Sequence, residues 1–379
     1  MHWQTLRNGV MALGYQRVLK PLLFKRDPEA VHDRMTHLGH WAGEHRWSQA
    51  SLRLAFGSSH PTLAQTFAGI QWPVPVGLAA GFDKNAELIG VLPAVGFGHI
   101  EIGSVTGQPC AGNAKPRLWR LPKSQSIAVY YGLKNDGAAV VCERLKQYRG
   151  SVPLGISIAK TNNQETCNEV AGIADYIKAY SAASVVKQAA YITINISCPN
   201  TFGGEPFTQP DKLDRLLHAL DQQGRTLPWF LKLPCDVTPD QLRTLVAVAR
   251  KYQVTGLICS NLTKRRGLPT IKDTNVPKQG GLSGKVVAPL ADALIQQLYK
   301  ETGDEFIIVG CGGIFSAEDA YHKIKLGAHL LQLVTGMIYQ GPQLISQIHF
   351  GLETLLRRDG YTSLAEARGT LTTAQHQQP

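Results

Sequence analysis

Along most of the chain, short apolar runs alternate with longer stretches in which apolar residues recur every three or four positions. The runs are Val74–Leu78, His99–Ile102, Leu154–Ile158, Tyr191–Ile194, Trp229–Leu233, Gly256–Cys259, Phe306–Val309 and Leu330–Leu333. Short runs of this kind, bounded by polar or glycine-containing segments, predict strands buried on both faces. Helical periodicity fills most of the intervals, including Pro239–Tyr252 and Ala317–Leu326. Strands alternating with helices in this number predict an α/β fold, a (β/α)8 TIM barrel over residues 46–360. A doubly wound open sheet is the alternative, weakened because no GxGxxG follows a strand.

Residues 1–45 follow another pattern and predict a small N-terminal helical domain ahead of the barrel. Val10, Met11, Leu13, Val18, Leu19, Leu22, Leu23 and Phe24 are interleaved with Arg7, Arg17, Lys20, Lys25 and Arg26. Asp27-Pro28-Glu29 then marks a helix start, with an N-cap Asp and Pro at the first helical position. Val31, Met35, Leu38 and Trp41 share one face of that second helix. Two amphipathic basic helices suit either a cap on the barrel or a monotopic membrane anchor that admits a lipid-soluble molecule. At the other end, residues 361–379 carry no sustained apolar pattern and are expected to be disordered.

Composition narrows the partners. Lys and Arg number 39 against 28 Asp and Glu, a net charge of +11 that favours anionic partners. No aromatic RNA-binding signature is present, so nucleic acid is not expected. Seven cysteines without paired spacing point to a reducing compartment, and no His/Cys cluster has metal-ligand spacing, so no metal is expected. No apolar stretch approaches the ~18 residues of a membrane span, and no apolar signal-peptide core is expected.

The chemistry of a barrel sits where its strands end. The fourth run opens into Asn195-Ile196-Ser197-Cys198-Pro199-Asn200-Thr201, a thiol between two amides. The amides can hold a planar polar ligand, and the thiol can act as a base or nucleophile. Lys84 and Lys232 stand at other strand ends. Gly280–Gly284, Gly310–Gly313 and Thr335-Gly336 come late in the chain, where barrels hold phosphate; tight turns are the simpler alternative. No carboxylate pair and no His beside Cys198 point to glycosidase or thiol-protease chemistry. Phosphate-binding glycines, lysines, amides and one thiol together fit a flavin barrel in which a base removes a proton as hydride leaves for the flavin. Lys264-Arg265-Arg266 reads either as a solvated tip or as an attractor for an anionic substrate, and Cys259 and Cys311 read as small core residues.

These stretches resemble the dihydroorotate dehydrogenase family over nearly the whole chain. The similarity is carried by Tyr15-Gln16-Arg17, Lys20–Phe24, Asp27–Ala30, His32, Gly77–Lys84, Gly96–Gly98, Glu101–Thr106, Gly112-Asn113, Lys115–Pro122, Asn195–Thr201, Gly280–Lys285 and Gly310–Ile314. The resemblance implies an FMN cofactor and oxidation of (S)-dihydroorotate to orotate in de novo pyrimidine biosynthesis. The N-terminal part is similar to the class 2, quinone-linked, membrane-associated enzymes. That implies a quinone partner and a peripheral membrane location, on the cytoplasmic face of a bacterial inner membrane. By resemblance, Lys84, Ser104, Asn195, Lys232, Ser260, Gly284, Gly313 and Thr335 line FMN, with Ala80, Gly81 and Phe82 beneath it. Ser157 and Val334 stand where the family has an Asn and an aromatic beside the flavin. Asn195, Asn200 and Asn261 hold the pyrimidine, together with Lys84, Gly132 and Leu133. Cys198 is the base, and His32 and Arg120 line the quinone tunnel.

Some positions depart from the class 2 pattern. Class 2 enzymes use serine as base, whereas Cys198 is the residue of the soluble class 1 enzymes. Gly203–Phe207 and Gly132–Asn135 also look like class 1. Val129 replaces an orotate-binding Asn, Tyr130 an Arg, and Leu262 a Thr. Each lost hydrogen bond to a buried polar substrate costs roughly 1–3 kcal/mol. The alternatives are therefore a divergent paralogue acting on another dihydropyrimidine or a cyclic enone, or a flavin-binding protein whose orotate site has decayed.

Overall fold

The computed structural model describes residues 2–373. Eight parallel strands close into a barrel: β1 Val76–Leu78, β2 Ile100–Thr106, β3 Leu154–Ala159, β4 Tyr191–Asn195, β5 Trp229–Lys232, β6 Gly256–Cys259, β7 Ile307–Cys311 and β8 Leu330–Leu333. They pair in chain order, and β8 returns to β1 through Leu331 against Val76. Each coincides with one apolar run of the sequence, shifted by no more than a few residues. The predicted helices are present as Pro239–Lys251 and Ala317–Leu326.

The lumen is filled, not open. Its lower layer is Trp72, Tyr191, Phe230, Ile258, Ile307, Val309 and Leu330. Glycines on neighbouring strands give the rings room: a Cβ on Gly155 would collide with Tyr191, and one on Gly256 with Phe230. A hairpin of Gln65–Phe67 and Ile70–Trp72 brings Trp72 against this layer. Above it, the carboxylate of Glu101 accepts hydrogen bonds from Thr193 (3.0 Å) and Gln332 (2.9 Å). Lys232 lies two residues beyond Phe230 on β5, so it points to the same side nearer the strand ends.

The helical segment ahead of the barrel continues past residue 45. Helix α1 (His2–Gly14) runs through a π-helical turn, Tyr15–Leu19, into α2 (Lys20–Phe24). Helix α3 (Pro28–Glu44) begins as expected, with the Asp27 side chain accepting from the Ala30 amide, and α4 (Arg46–Phe56) follows. The cap is tied to the barrel by a buried ion pair, Glu29 to Arg117 at 2.8 Å.

The expectation of disorder from residue 361 is corrected for much of that segment. Leu364–Ala367 and Thr370–Thr373 are helical, and Leu364, Ala367 and Thr372 are buried. Thr372 donates to the Leu326 carbonyl at 2.9 Å. Few apolar residues suffice when each docks on an existing surface, which is why periodicity gave no sign of it. Residues 374–379 lie outside the described residues.

Candidate active site

A cavity of about 470 Å³ runs from the C-terminal ends of the strands to the underside of the cap helices. That volume lies within the usual range for small-molecule and cofactor sites. Its wall changes character along its length. The barrel end carries Lys84, Asn195, Cys198, Asn200, Lys232 and Asn261; the cap end carries Leu19, Leu23, Val31 and Met35.

The expected cofactor-binding residues meet here. Ala80, Gly81, Lys84, Ser104, Asn195, Lys232, Ser260, Gly284, Gly313, Val334 and Thr335 all line the cavity. Ser157 does not: it is fully buried, and its short side chain stops at the Ser104 hydroxyl, 2.7 Å away. It begins a chain of hydrogen bonds across the strand ends. Asn195 Nδ2 donates to Ser104 (2.7 Å), Ser197 Oγ donates to Asn195 Oδ1 (3.0 Å), and Asn261 Nδ2 donates to Ser197 Oγ (3.0 Å). This chain fixes which amide edges of Asn195 and Asn261 remain for a ligand.

Of the expected substrate residues, Val129, Gly132, Leu133, Asn200, Asn261 and Leu262 line the cavity, and Tyr130 does not. Val129 ends a strand (Ser126–Val129) of a small antiparallel sheet with Leu118–Leu121 and Gly281–Gly284. Successive side chains there face opposite ways, so Val129 and Tyr131 share the cavity side and Tyr130 points away. Asn200 Nδ2 donates to the Val129 carbonyl at 2.8 Å, which fixes the Asn200 amide against this strand. Asn113, outside the cavity wall, latches both loops: its Nδ2 donates to the carbonyls of Tyr130 (3.1 Å) and Asn200 (3.0 Å).

The electrostatics distinguish the two ends. Lys84 stacks over the Tyr131 ring at 4.2 Å and lies 3.3 Å from His32 Nε2. Burial, then the charge of Lys134, lower Lys84 to about 8. Burial, then Lys84, lower His32 to about 3, so the imidazole is neutral. His32 and Arg120, the expected tunnel residues, both line the cavity. Arg120 stacks over Phe24 and donates to the Arg26 carbonyl at 2.7 Å. Burial pushes the Cys198 thiol up to about 11. Lys232 is 4% exposed and has no carboxylate partner among the described residues.

The glycines cited for phosphate are shaped by space. A Cβ on Gly313 would collide with Ala288, and one on Gly284 with the Gln125 carbonyl. At Gly81, by contrast, φ is +105° and no atom lies within 4 Å of a Cβ position: the side chain would enter the open cavity. The Gly280–Gly284 segment is largely a strand of the small sheet, not simply a turn. Tyr131 is on the wall without a signal of its own in the sequence, whereas Tyr15, Lys134 and Ser283 lay in stretches noted there without an assigned role; the Ser283 hydroxyl lies 2.9 Å from that of Thr335. Cys259 is core as expected, but Cys311 lines the cavity. The Lys264–Arg266 loop is partly engaged, with Arg265 on Asp236 (3.1 Å) and Arg266 on the Gly280 carbonyl (2.6 Å).

A family model described as dihydroorotate dehydrogenase matches residues 62–356. A dihydroorotate dehydrogenase (quinone) of Roseiflexus sp. (strain RS-1) is 37% identical over 362 residues, covering 94% of this chain and 98% of that one. One of Gloeobacter violaceus is 38% identical over 355 residues, covering 93% and 98%. Among solved structures, Eimeria tenella DHODH in complex with ferulenol superposes with a TM-score of 0.81 at 28% identity, covering 93% of this chain and 96% of that one.

Proposed function

The chain belongs to the dihydroorotate dehydrogenase family, and from that premise we propose that it oxidises (S)-dihydroorotate to orotate in de novo pyrimidine biosynthesis, with FMN as its cofactor and a membrane quinone as electron acceptor. The observation that carries this reading is the single cavity that joins a thiol and three amides at one end to an apolar chamber under the cap at the other.

FMN suits the residues present. The open position above Gly81 leaves room for a flat ring against the backbone. Lys232, buried without a carboxylate partner among the described residues, supplies positive charge for an electron-rich ring. The paired hydroxyls of Ser283 and Thr335, with Gly284 and Gly313 close by, supply donors and space for a phosphate. When bound, FMN provides the two-electron acceptor that no side chain can.

The protein's own groups do the rest. Asn195, Asn200 and Asn261 orient the pyrimidine, held by the hydrogen-bond chain behind them. Lys84 offers a cation to the substrate carboxylate. Cys198 removes the C5 proton as the C6 hydride departs. At the apolar end, His32 and Arg120 receive the quinone head group. Residues 1–45, extended by α4, work as the membrane-facing cap, and the catalytic barrel occupies the segment after α4 up to residue 360. No helix of the described residues is long and apolar enough to cross a membrane. The exposed apolar face of the cap supports our reading that it rests on the lipid surface, at the cytoplasmic face of a bacterial inner membrane.

An anaerobic titration tests the substrate. Dihydroorotate is expected to bleach the flavin and dihydrouracil is not, with colour restored by a short-chain quinone. Val129 and Leu262 make one wall less polar and favour a second reading, a paralogue for an uncharged dihydropyrimidine. Bleaching by dihydrouracil in preference to dihydroorotate would establish it. FMN bleached by neither compound would mark a decayed orotate site.

A further inference from the structure

Cys198 borders a second, smaller hollow of about 10 Å³, close to the room one water needs. Its wall includes Lys160, Tyr176, Asn195, Thr201 and Glu205. Most of these polar groups are already engaged. The Tyr176 hydroxyl donates to the Asn195 carbonyl (2.7 Å) and the Thr201 hydroxyl to the Gly204 carbonyl (2.7 Å). Lys160, 4% exposed, donates to the Phe202 carbonyl at 2.9 Å, which pins the loop carrying Cys198 and sets a positive charge beside it. The Glu205 carboxyl has no hydrogen bond or ion pair among the described residues. It is the one acid on this wall and the one side chain there able to take up a proton at neutral pH.

A buried thiol is a poor base while it keeps its proton. We propose that Glu205 is the proton acceptor that readies Cys198, acting through a water in this hollow, with Lys160 stabilising the thiolate. The proton leaves Sγ, passes along the water and is taken up by the Glu205 carboxylate. Cys198 becomes a thiolate and Glu205 a neutral acid. The thiolate then takes the substrate C5 proton, and Glu205 releases its own to solvent, so no electrons move in the relay itself. The surrounding charges fit this exchange. Burial raises Glu205 above the usual carboxylate range, with Lys264 lowering it and Asp236 raising it. Cys198 is raised by burial and by Glu205, and lowered by its hydrogen bond to the Asn200 backbone and by Lys160 and Lys264. The inference rests on Cys198 being the base.

Two readouts on the flavin-loaded enzyme test it: the rate of anaerobic flavin bleaching by dihydroorotate across neutral and alkaline pH, and the alkylation rate of Cys198 by iodoacetamide, resolved by peptide mass spectrometry. Glu205→Gln is expected to slow bleaching at neutral pH by about tenfold or more, with recovery at alkaline pH where the thiol ionises unaided. The same variant is expected to alkylate correspondingly more slowly at neutral pH, with the same alkaline recovery, because alkylation draws on the same thiolate. Glu205→Asp, which keeps the acid but shortens its reach, is expected to give intermediate slowing with the same recovery. A structural role would instead depress both readouts together without alkaline recovery, and that outcome overturns the proposal. So does bleaching at the wild-type rate and pH profile in either variant. Unchanged bleaching in Cys198→Ala would overturn the base assignment itself, a distinct result.

Discussion

Two amphipathic helices of this protein meet opposite fates. In the barrel helix Pro210–Asp221, the stripe Leu213, Leu216, Leu217 and Leu220 is fully buried against the strands. In α1, the stripe Trp3, Leu6, Val10 and Leu13 is 54–69% exposed, and the helix turns its polar side inward. Asn8, 3% exposed, donates to Ser346 at 3.0 Å, and Arg7 donates to the Leu54 carbonyl at 2.8 Å. The rest of the cap agrees, with Leu22, Leu38, Trp41, Trp47 and Leu54 also outward. An apolar stripe held outward by buried polar contacts is the surface that the proposed membrane-facing cap would set against lipid. An amphipathic pattern therefore specifies that a face will leave water, not what it will meet.

Substitutions can break this contrast, from the largest effect to the smallest. A lysine at Leu216 places a charge in a dry core and is expected to prevent folding, while Leu216→Ala costs about 2–5 kcal/mol in denaturant unfolding. The joint between the two regions comes next. Removing the charge in Glu29→Gln leaves Arg117 buried without its carboxylate and is expected to cost about 3–5 kcal/mol. Burial alone would raise the Glu29 carboxyl, but the hydrogen bonds and charge of Arg117, with Lys115, bring it below the ordinary value. A depressed carboxylate stabilises the fold above its unfolded pKa, and that contribution is lost as pH falls through the folded value. The Tm gap between wild type and Glu29→Gln should accordingly close in acid.

The two ends of the cavity separate at the next level. Cys198→Ala should retain yellow flavin and slow its bleaching by dihydroorotate at least ~100-fold, leaving reoxidation by quinone unchanged. His32→Ala should do the reverse, slowing reoxidation about tenfold with bleaching intact. Stopped-flow traces of the two half-reactions separate these outcomes. Smallest in stability is Val10→Lys on the outward stripe. It should shift unfolding by less than ~0.5 kcal/mol yet reduce sedimentation with phospholipid vesicles, the counterpart to Leu216→Lys.

The sequence by itself determined the barrel and which residues stand at the rim of its strands. A strand buried on both faces is written as a continuous apolar run, so all eight strands could be placed locally, and the residues at their tips followed. Cys198, Asn195, Lys84 and Lys232 stand at such tips and converge because closing the barrel brings every tip to one rim. What tertiary structure decided are relations between segments distant in the chain. Whether a side chain reaches the cavity depends on the neighbour it meets first: Ser157 stops at Ser104, and Tyr131 rather than Tyr130 reaches the wall just beyond the strand Ser126–Val129 that pairs with Gly281–Gly284. The helices after Leu364 are ordered by a surface more than thirty residues upstream, through contacts such as Thr372 to Leu326. The outward turn of α1 rests on Asn8 meeting Ser346 across the fold. Periodicity records which side chains avoid water, but a partner at the far end of the chain leaves no local trace, and burial energy does not depend on which apolar surface supplies it.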